Sequence, residues 1–414
     1  MMSDKPPPLM AVEDALAHIL DALHQTESEI ISINDAAGRV LAEDIVARYS
    51  HPRHAISAMD GYAVAVSDAP IDVSTPLEVI GEAAAGHIFS GTVLAGQAVR
   101  IFTGAYMPQG SNAVLIQEDA DLKDGFVLPT EAIKTGQFVR PAGLDFEQGD
   151  VIAKAGDVLN ARRWALVGLS GNTEIAVRKR PLVALLSSGD ELVSAGSQPE
   201  AGQLINSNSL YLRKLIDASG GTAIDLGIIA DKAGALTQTL DRARKAGHSF
   251  DLIISTGGAS VGNHDHIHGD LQDASDTALT FWKIAMRPGK PVLFANWQGT
   301  AFIGLPGNPV SAGVCGLVFI MPALRKLLGQ PAIQETHTAY LSNALPENDK
   351  RQDYLRARIE EDNTGKRFVE TLNRQDSSML NMFTQADVLI IRPPFAPPAG
   401  SGEQVQILTI PDQI

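Results

Sequence analysis

The chain has 414 residues, 44% hydrophobic and 20% charged, with 48 acidic against 33 basic residues and a net charge of −15. That length predicts about three domains of roughly 150 residues, and the composition excludes a disordered or fibrous chain. The acidity argues against a general nucleic-acid binder, which carries a basic face; any anionic ligand needs a local cluster of cations working against the global field.

The start, "MMSDKPPPLM", has no apolar h-region, so no signal peptide is expected and the cytoplasm is the expected location. Next, "AVEDALAHILDALHQ" puts Val12, Leu16, Ile19, Leu20 and Leu23 on one helical face. From about Ala55 to Arg140, short runs such as "PLEVI", "QAVRIF", "AVLIQ" and "GFVLP" are broken by Gly and Pro, which predicts a small mostly-β domain. From Pro181 the rhythm changes. "PLVALL" precedes "SLYLRKLIDAS", "TAIDLGII" precedes "AGALTQTLDRARKA", and "DLIIS" precedes the glycine-rich loop "STGGASVGNHD"; then come "FWKIAM", "PVLFA" and "TAFIGL". Strands alternating with helices predict a doubly wound, mostly parallel α/β sheet.

The apolar run Val310–Leu324 is interrupted by Pro322 and closed by Arg325 and Lys326. It is too short and broken to span a bilayer and reads as a buried helix. The single cysteine, Cys315, lies inside it and reads as a buried apolar side chain, not a nucleophile. From about Thr336, "HTAYLSNAL", "DYLRARIE", "RFVETL", "DVLIIRPP" and "EQVQILTI" predict a C-terminal β domain. The resulting α/β multi-domain division is 1–50 with 141–180 (a discontinuous N-terminal α+β domain), 51–140 (inserted, mostly β), 181–332 (doubly wound α/β) and 333–414 (β, barrel-like).

In open α/β sheets, ligands bind outside the carboxyl ends of the strands. Those ends carry Ser187, Ser188, Gly189, Asp190 and Glu191; Asp231; the glycine loop with Asp265; Arg287 to Lys290 after "FWKIAM"; and Pro306 to Pro309 after "FIGL". Glu191, Asp231 and Asp265 are hard oxygen donors of the kind Mg²⁺ takes while it bridges to phosphates. Arg287 and Lys290 flank a glycine and suit an oxyanion. Around Gly257, Gly258 and Gly262 the backbone N–H groups can approach an anion closely, because no Cβ intervenes. Together these residues describe a metal-assisted site for a phosphorylated ligand. Neither a Walker loop nor a GxGxxG fingerprint has this spacing. His264, His266 and His268 alternate around Asp265, but the segment should open a helix, so they read as solvated side chains rather than a metal site.

Eight blocks follow in order: "SAMDGYAV", "IFTGAYMP", "RPAGLDFEQGD", "SSGDEL", "STGGASVGNHD", "AMRPGKP", "GLPGNPVS" and "RQDYLRARI". With them the chain resembles, over essentially its whole length, the molybdopterin molybdenumtransferase family, the MoeA proteins and the E domain of gephyrin. The resemblance implies an elongated subunit whose third domain is the α/β sheet, in a head-to-tail homodimer. It also implies a transferase of molybdenum cofactor synthesis, with molybdate and adenylylated molybdopterin as substrates, Mg²⁺ as cofactor and AMP as a product. Other proteins of that synthesis are implied as partners; nucleic acid and membrane are not.

Carried over by position, the resemblance implies Asp231 and Asp265 for the metal. Ser188, Gly257, Gly258, Ser260, Gly262, Pro306 and Asn308 fall to the nucleotide–phosphate part, and Arg287, Lys290, Arg351 and Ser377 to molybdate. Asp60, Thr103, Asp145 and Glu191 are implied in catalysis. By themselves, Asp60 could cap a turn ahead of Gly61, and Thr103 could be an ordinary strand-end hydroxyl. The family usually has Lys at the place of Arg287, Thr at that of Ser188 and Gly at that of Asp376. Two other readings stay open. The α/β domain alone also resembles the molybdopterin adenylyltransferases, which attach AMP, and a non-catalytic scaffold or carrier would also bind molybdopterin. The N-terminal and C-terminal blocks favour insertion over adenylylation, and the lack of a long linker disfavours a scaffold.

Overall fold

The strand-and-helix alternation after Pro181 folds into one mixed sheet in the computed structural model, which describes residues 9–257, 266–273, 278–281, 283–333 and 335–412. The chain forms two units: Ile30–Val177, and the remainder on either side of it.

In the second of these, helix α1 (Val12–Asp21) precedes a sheet whose strands are β1 (Leu182–Ser188), β2 (Thr222–Ile229), β3 (Leu252–Thr256) and β4 (Ala278–Phe281). After the short β5 (Met286–Arg287) come β6 (Leu293–Trp297) and β7 (Thr300–Leu305). The order is β2-β1-β3-β7-β6-β4, with β2, β1, β3 and β7 parallel and β6 antiparallel to β7. β1 is buried along nearly its whole length, as a central strand covered on both faces must be. Alternate residues feed two cores. Val183 and Leu185 pack with Leu212, Leu215 and Ile216 of α2 (Asn208–Ala218) and with Ile19 of α1. Ala184 and Leu186 pack with Leu236 and Leu240 of α3 (Ala235–Lys245) and Ile267 of α4 (His266–Asp273).

One feature departs from the sequence reading. Trp297 pairs directly with Thr300, so β6 and β7 are a hairpin closed by Gln298 and Gly299, both at positive φ, as two-residue hairpin turns require. Helix α5 (Pro309–Leu327), expected as a buried helix, runs through Pro322. A π turn at Gly316–Ile320 directly precedes Met321–Leu327, and such turns let a helix continue past a residue that lacks the N–H donor. By length and composition α5 could cross a membrane, but 83% of it is buried inside the protein.

The C-terminal part closes β8 (Thr336–Leu341), β9 (Gln352–Glu361), β10 (Arg367–Thr371), β11 (Val388–Arg392) and β12 (Gln404–Thr409) into a barrel, β9 pairing with both β10 and β11. Here the structure corrects the strand-end reading of Arg287. β5 pairs with the barrel, Met286 beside Gln352 and Arg287 beside Asp353, and is not part of the α/β sheet. Pro288, which cannot donate to a ladder, follows it at once.

In the unit Ile30–Val177, a six-stranded sheet has Gly61–Val64 next to its edge strand Ala113–Ile116, antiparallel to that strand on one side and to Gln97–Ile101 on the other. Val64, Leu115 and Val127 fill one face, Ala63, Val99 and Val114 the other.

Phe302 of β7 is wholly buried in the second sheet core. Phe302→Ala should cost about 3–5 kcal/mol through lost burial and the cavity left behind, read as a lowered urea midpoint with unchanged slope.

Candidate active site

β1 connects outward to β2 on one side while β3 lies on its other side, so a crevice forms between the carboxyl ends of β1 and β3, where such sheets take ligands. Gly257 closes this edge. Its φ is +79°, and a Cβ there would lie 2.2 Å from the Ser188 carbonyl oxygen. Its N–H donates to the Leu305 carbonyl at 3.1 Å. Beneath the edge runs a buried polar chain: Asn206 Nδ2 donates to Ser187 Oγ at 2.9 Å, which meets Thr256 Oγ1 at 2.9 Å. Asn208 Nδ2 donates to the Gly307 carbonyl at 2.7 Å, so the start of α2 holds the turn after β7.

Ser188 Oγ–H donates to Asp231 Oδ1, and the Asp231 N–H donates to Asp190 Oδ1 at 3.0 Å. The Asp190 carboxylate thus meets the Asp231 backbone, and the Asp231 carboxylate meets the end of β1. Glu191 is exposed and folds back over Gly189, where a Cβ would meet its carboxylate at 2.7 Å. Gly258, Ser260, Gly262, Asp265 and His264 lie outside the described residues. Pro306 is buried, whereas Asn308 is exposed and donates from Nδ2 to Ser377 Oγ at 2.9 Å. The Val310 N–H also donates to the Ser377 carbonyl, so Ser377 sits on the loop after β7.

The structure brings Arg287 and Arg351 together but fills their forks with acids. Arg287 donates to Asp353 through Nη2 and reaches Asp349 at 3.5 Å; Arg351 donates to the same Asp349 carboxylate at 2.8 Å. Arg351, Arg287 and burial all act on Asp349, and the hydrogen bond from Arg351, the strongest of these, helps hold its pKa down to about 2. Hydrogen bonding to Asp353 raises the pKa of Arg287. Lys290 is exposed.

The residue that the sequence reading missed is Arg356. β5 pairs with β9 at Gln352 and Asp353, and β10 joins only at Ala357. Between them, Tyr354, Leu355 and Arg356 line a cavity of about 600 Å³ shared with Arg287, Asp353, Gln375 and Arg392. Arg356 is only 1% exposed. It donates from Nη2 to the Asp376 carbonyl at 3.3 Å, and its Nε has no partner. Asp376 acts on it through its field, while its carboxylate is taken by the N–H and hydroxyl of Ser378. Burial pushes the Arg356 pKa below the ordinary arginine range. A buried cation without an ion pair is expensive unless an anion joins it. Only its place in "QDYLRARI", which reads as an ordinary strand, was visible beforehand.

In the other unit, Thr103 donates both its N–H and its hydroxyl to Asp60 Oδ1, each at 2.7 Å. These bonds, the backbone one first and then the hydroxyl, lower the Asp60 pKa, and the charge of Arg100 adds to them. Two candidates named separately are thus one pair. Asp145 is exposed in a loop, its N–H donating to the His51 carbonyl.

Three family models cover the chain in order: "MoeA N-terminal region (domain I and II)" over residues 10–171, "Probable molybdopterin binding domain" over 184–326, and "MoeA C-terminal region (domain IV)" over 338–410. A protein of Haemophilus influenzae named molybdopterin molybdenumtransferase is 32% identical, over 96% of this chain and 98% of its own. One from Nostoc with the same name is 31% identical over 94% and 90%. The chain belongs to the molybdopterin molybdenumtransferase family. A crystal structure of the moeA protein of Pyrococcus horikoshii matches its fold with a TM-score of 0.83, at 25% identity, over 97% of this chain and all of that one. Within the family's division, the crevice falls in the molybdopterin-binding segment and the Arg356 cavity is lined largely by the C-terminal region.

Gly257→Ala forces a Cβ into the Ser188 carbonyl and a side chain into the left-handed region. The expected outcome is a protein that stays folded by circular dichroism but has a urea midpoint lowered by the equivalent of about 1–3 kcal/mol.

Proposed function

We propose that this protein is a molybdenum insertase: it binds adenylylated molybdopterin along the carboxyl edge of β1, β3 and β7, takes molybdate at the Arg356 cavity, joins molybdenum to the dithiolene sulfurs and releases AMP. The observation that carries this reading is a physical link between the two sites. The Asp376 carbonyl accepts from Arg356, and the next residue, Ser377, is bonded to Asn308 of the loop after β7. An oxyanion beside Arg356 is thereby held near the nucleotide edge, and proximity of this kind supplies much of the rate in group transfer. The flanking family matches favour insertion over adenylylation, for which the α/β segment would suffice.

Mg²⁺ fits the donor set. Asp231 and Asp190 present hard carboxylate oxygens at adjacent strand ends, and Mg²⁺ typically takes one or two carboxylates and keeps waters or phosphate oxygens for the rest. We assign it to Asp231, with Asp265 as the expected second acid; when bound it would neutralise charge on the departing phosphate. Ser188, by donating to Asp231, orients that carboxylate. Arg287, Lys290 and Ser377 remain candidates for the oxyanion, and Asp60, Thr103, Asp145 and Glu191 for catalysis. Arg351 is better placed as a clamp on Asp349. The cytoplasm is the compartment we assign.

Molybdate-dependent AMP release from adenylylated molybdopterin tests the reading directly; no release, with or without molybdate, refutes it. Arg356→Met should raise the molybdate concentration needed about ten- to hundredfold, since hydrogen bonds to charged groups are worth about 1.5–3 kcal/mol. Arg351→Met should change it about twofold or less. Equal effects from both variants would return the oxyanion to Arg351. We also infer a homodimer, so light scattering should give twice the 44.0 kDa chain mass.

A further inference from the structure

We propose that Arg100 is a positioning residue that fixes Asp60 for its role in the reaction; the inference rests on the assignment of Asp60 to catalysis made above. Arg100 lies on the strand Gln97–Ile101, paired with Tyr62 of the neighbouring strand. Its Nη1 donates to the carbonyl of Gly61, the residue after Asp60, at 3.3 Å, and its Nη2 to Gln117 Oε1 at 2.8 Å. The guanidinium also lies 5.1 Å from the Tyr62 ring centre and 5.0 Å from that of Phe102, which confines it by cation–π attraction.

Asp60 is thus held from four directions. Thr103 occupies Oδ1, the Gln117 N–H donates to the Asp60 carbonyl at 3.1 Å, and Arg100 holds the following carbonyl. Gly61 itself is pressed against the Leu115 carbonyl, where a Cβ would come within 1.9 Å. Among the described residues, both hydrogen bonds to the carboxylate fall on Oδ1, which leaves the second oxygen to face a reacting group. Arg100 does not bond the carboxylate. It fixes the backbone that aims it and contributes positive charge that favours the ionised form. The charged groups on this side include Glu82, paired in register with Arg100 on the strand Leu77–Ala83, and Glu118, which accepts from Gln117 Nε2 at 3.4 Å.

The test compares Arg100→Met, Arg100→Lys, Gln117→Ala and Asp60→Asn in molybdate-dependent AMP release by the full-length protein, each checked for folding by circular dichroism. Arg100→Met should lower kcat roughly ten- to hundredfold, as a small misplacement of a reacting group does, while KM for molybdate and for adenylylated molybdopterin stays within about twofold. The acid limb of its pH profile should move to higher pH, because Asp60 would protonate earlier without the nearby charge. Arg100→Lys should recover part of the rate, and Gln117→Ala, which removes the side-chain contacts to Arg100 and Glu118 but keeps the backbone bond to Asp60, should show a smaller loss of the same kind. If Arg100→Met misfolds, Arg100→Lys and Gln117→Ala decide by the same kcat and pH criteria. A wild-type kcat in Arg100→Met beside an inactive Asp60→Asn overturns the inference alone. Full activity in Asp60→Asn overturns it together with the assignment of Asp60.

Discussion

The carboxyl edge of the α/β sheet depends on how closely the chain leaving β3 passes the chain leaving β1. Gly257 makes that approach possible: with its φ at +79° and no Cβ, it lies against the Ser188 carbonyl where any side chain would collide. Ser187, Thr256 and Asn206, all buried and bonded to one another, tie the two strand ends together below it. Buried polar groups at this point would be costly if unpaired, and paired they fix one arrangement. From that arrangement follow the direction of Ser188 toward Asp231, the placing of Asp190 behind the Asp231 N–H, and the meeting of Gly257 with Gly307 of the next turn.

Charge is organised by the same logic on the barrel side. A protein of net charge −15 can attract a dianion only through local cations. Here Arg287 and Arg351 are ion-paired, whereas the buried Arg356 is not. Asp349 and Asp353 hold Arg287 and Arg351 in place, which orders the segment joining the barrel to β5. Arg356 is almost wholly buried where it lines its cavity, and charges there interact more strongly than in open water. Pairing the outer cations limits how strongly unrelated anions are drawn to the surface, while the inner one stays available.

The same separation of holding from reacting recurs in the unit Ile30–Val177. Thr103 and Arg100 serve Asp60 from one neighbouring strand and the turn after it, and Gln117 serves it from the turn after the other. Each support lies in a strand with buried residues or within two residues of the end of one, and supports so anchored hold geometry well.

The sequence by itself determined the alternation of strands and helices, the near-continuous apolar runs of a sheet covered on both faces, and the strand-end positions of Ser188, Asp231 and Gly257. Those follow from local periodicity and from residue types that only turns and strand ends favour. It also carried Asp60 and Thr103, though as separate candidates, because nothing local says that residues 43 positions apart will share two hydrogen bonds. Only the tertiary structure decided that β5 joins the barrel, and that Arg351 is clamped by Asp349 while Arg356 is buried without an ion pair. Two arginines five residues apart in one charged stretch look equivalent in sequence. Which of them is neutralised depends on what the neighbouring strands bring to each, and that is set by long-range pairing rather than by the chain around them.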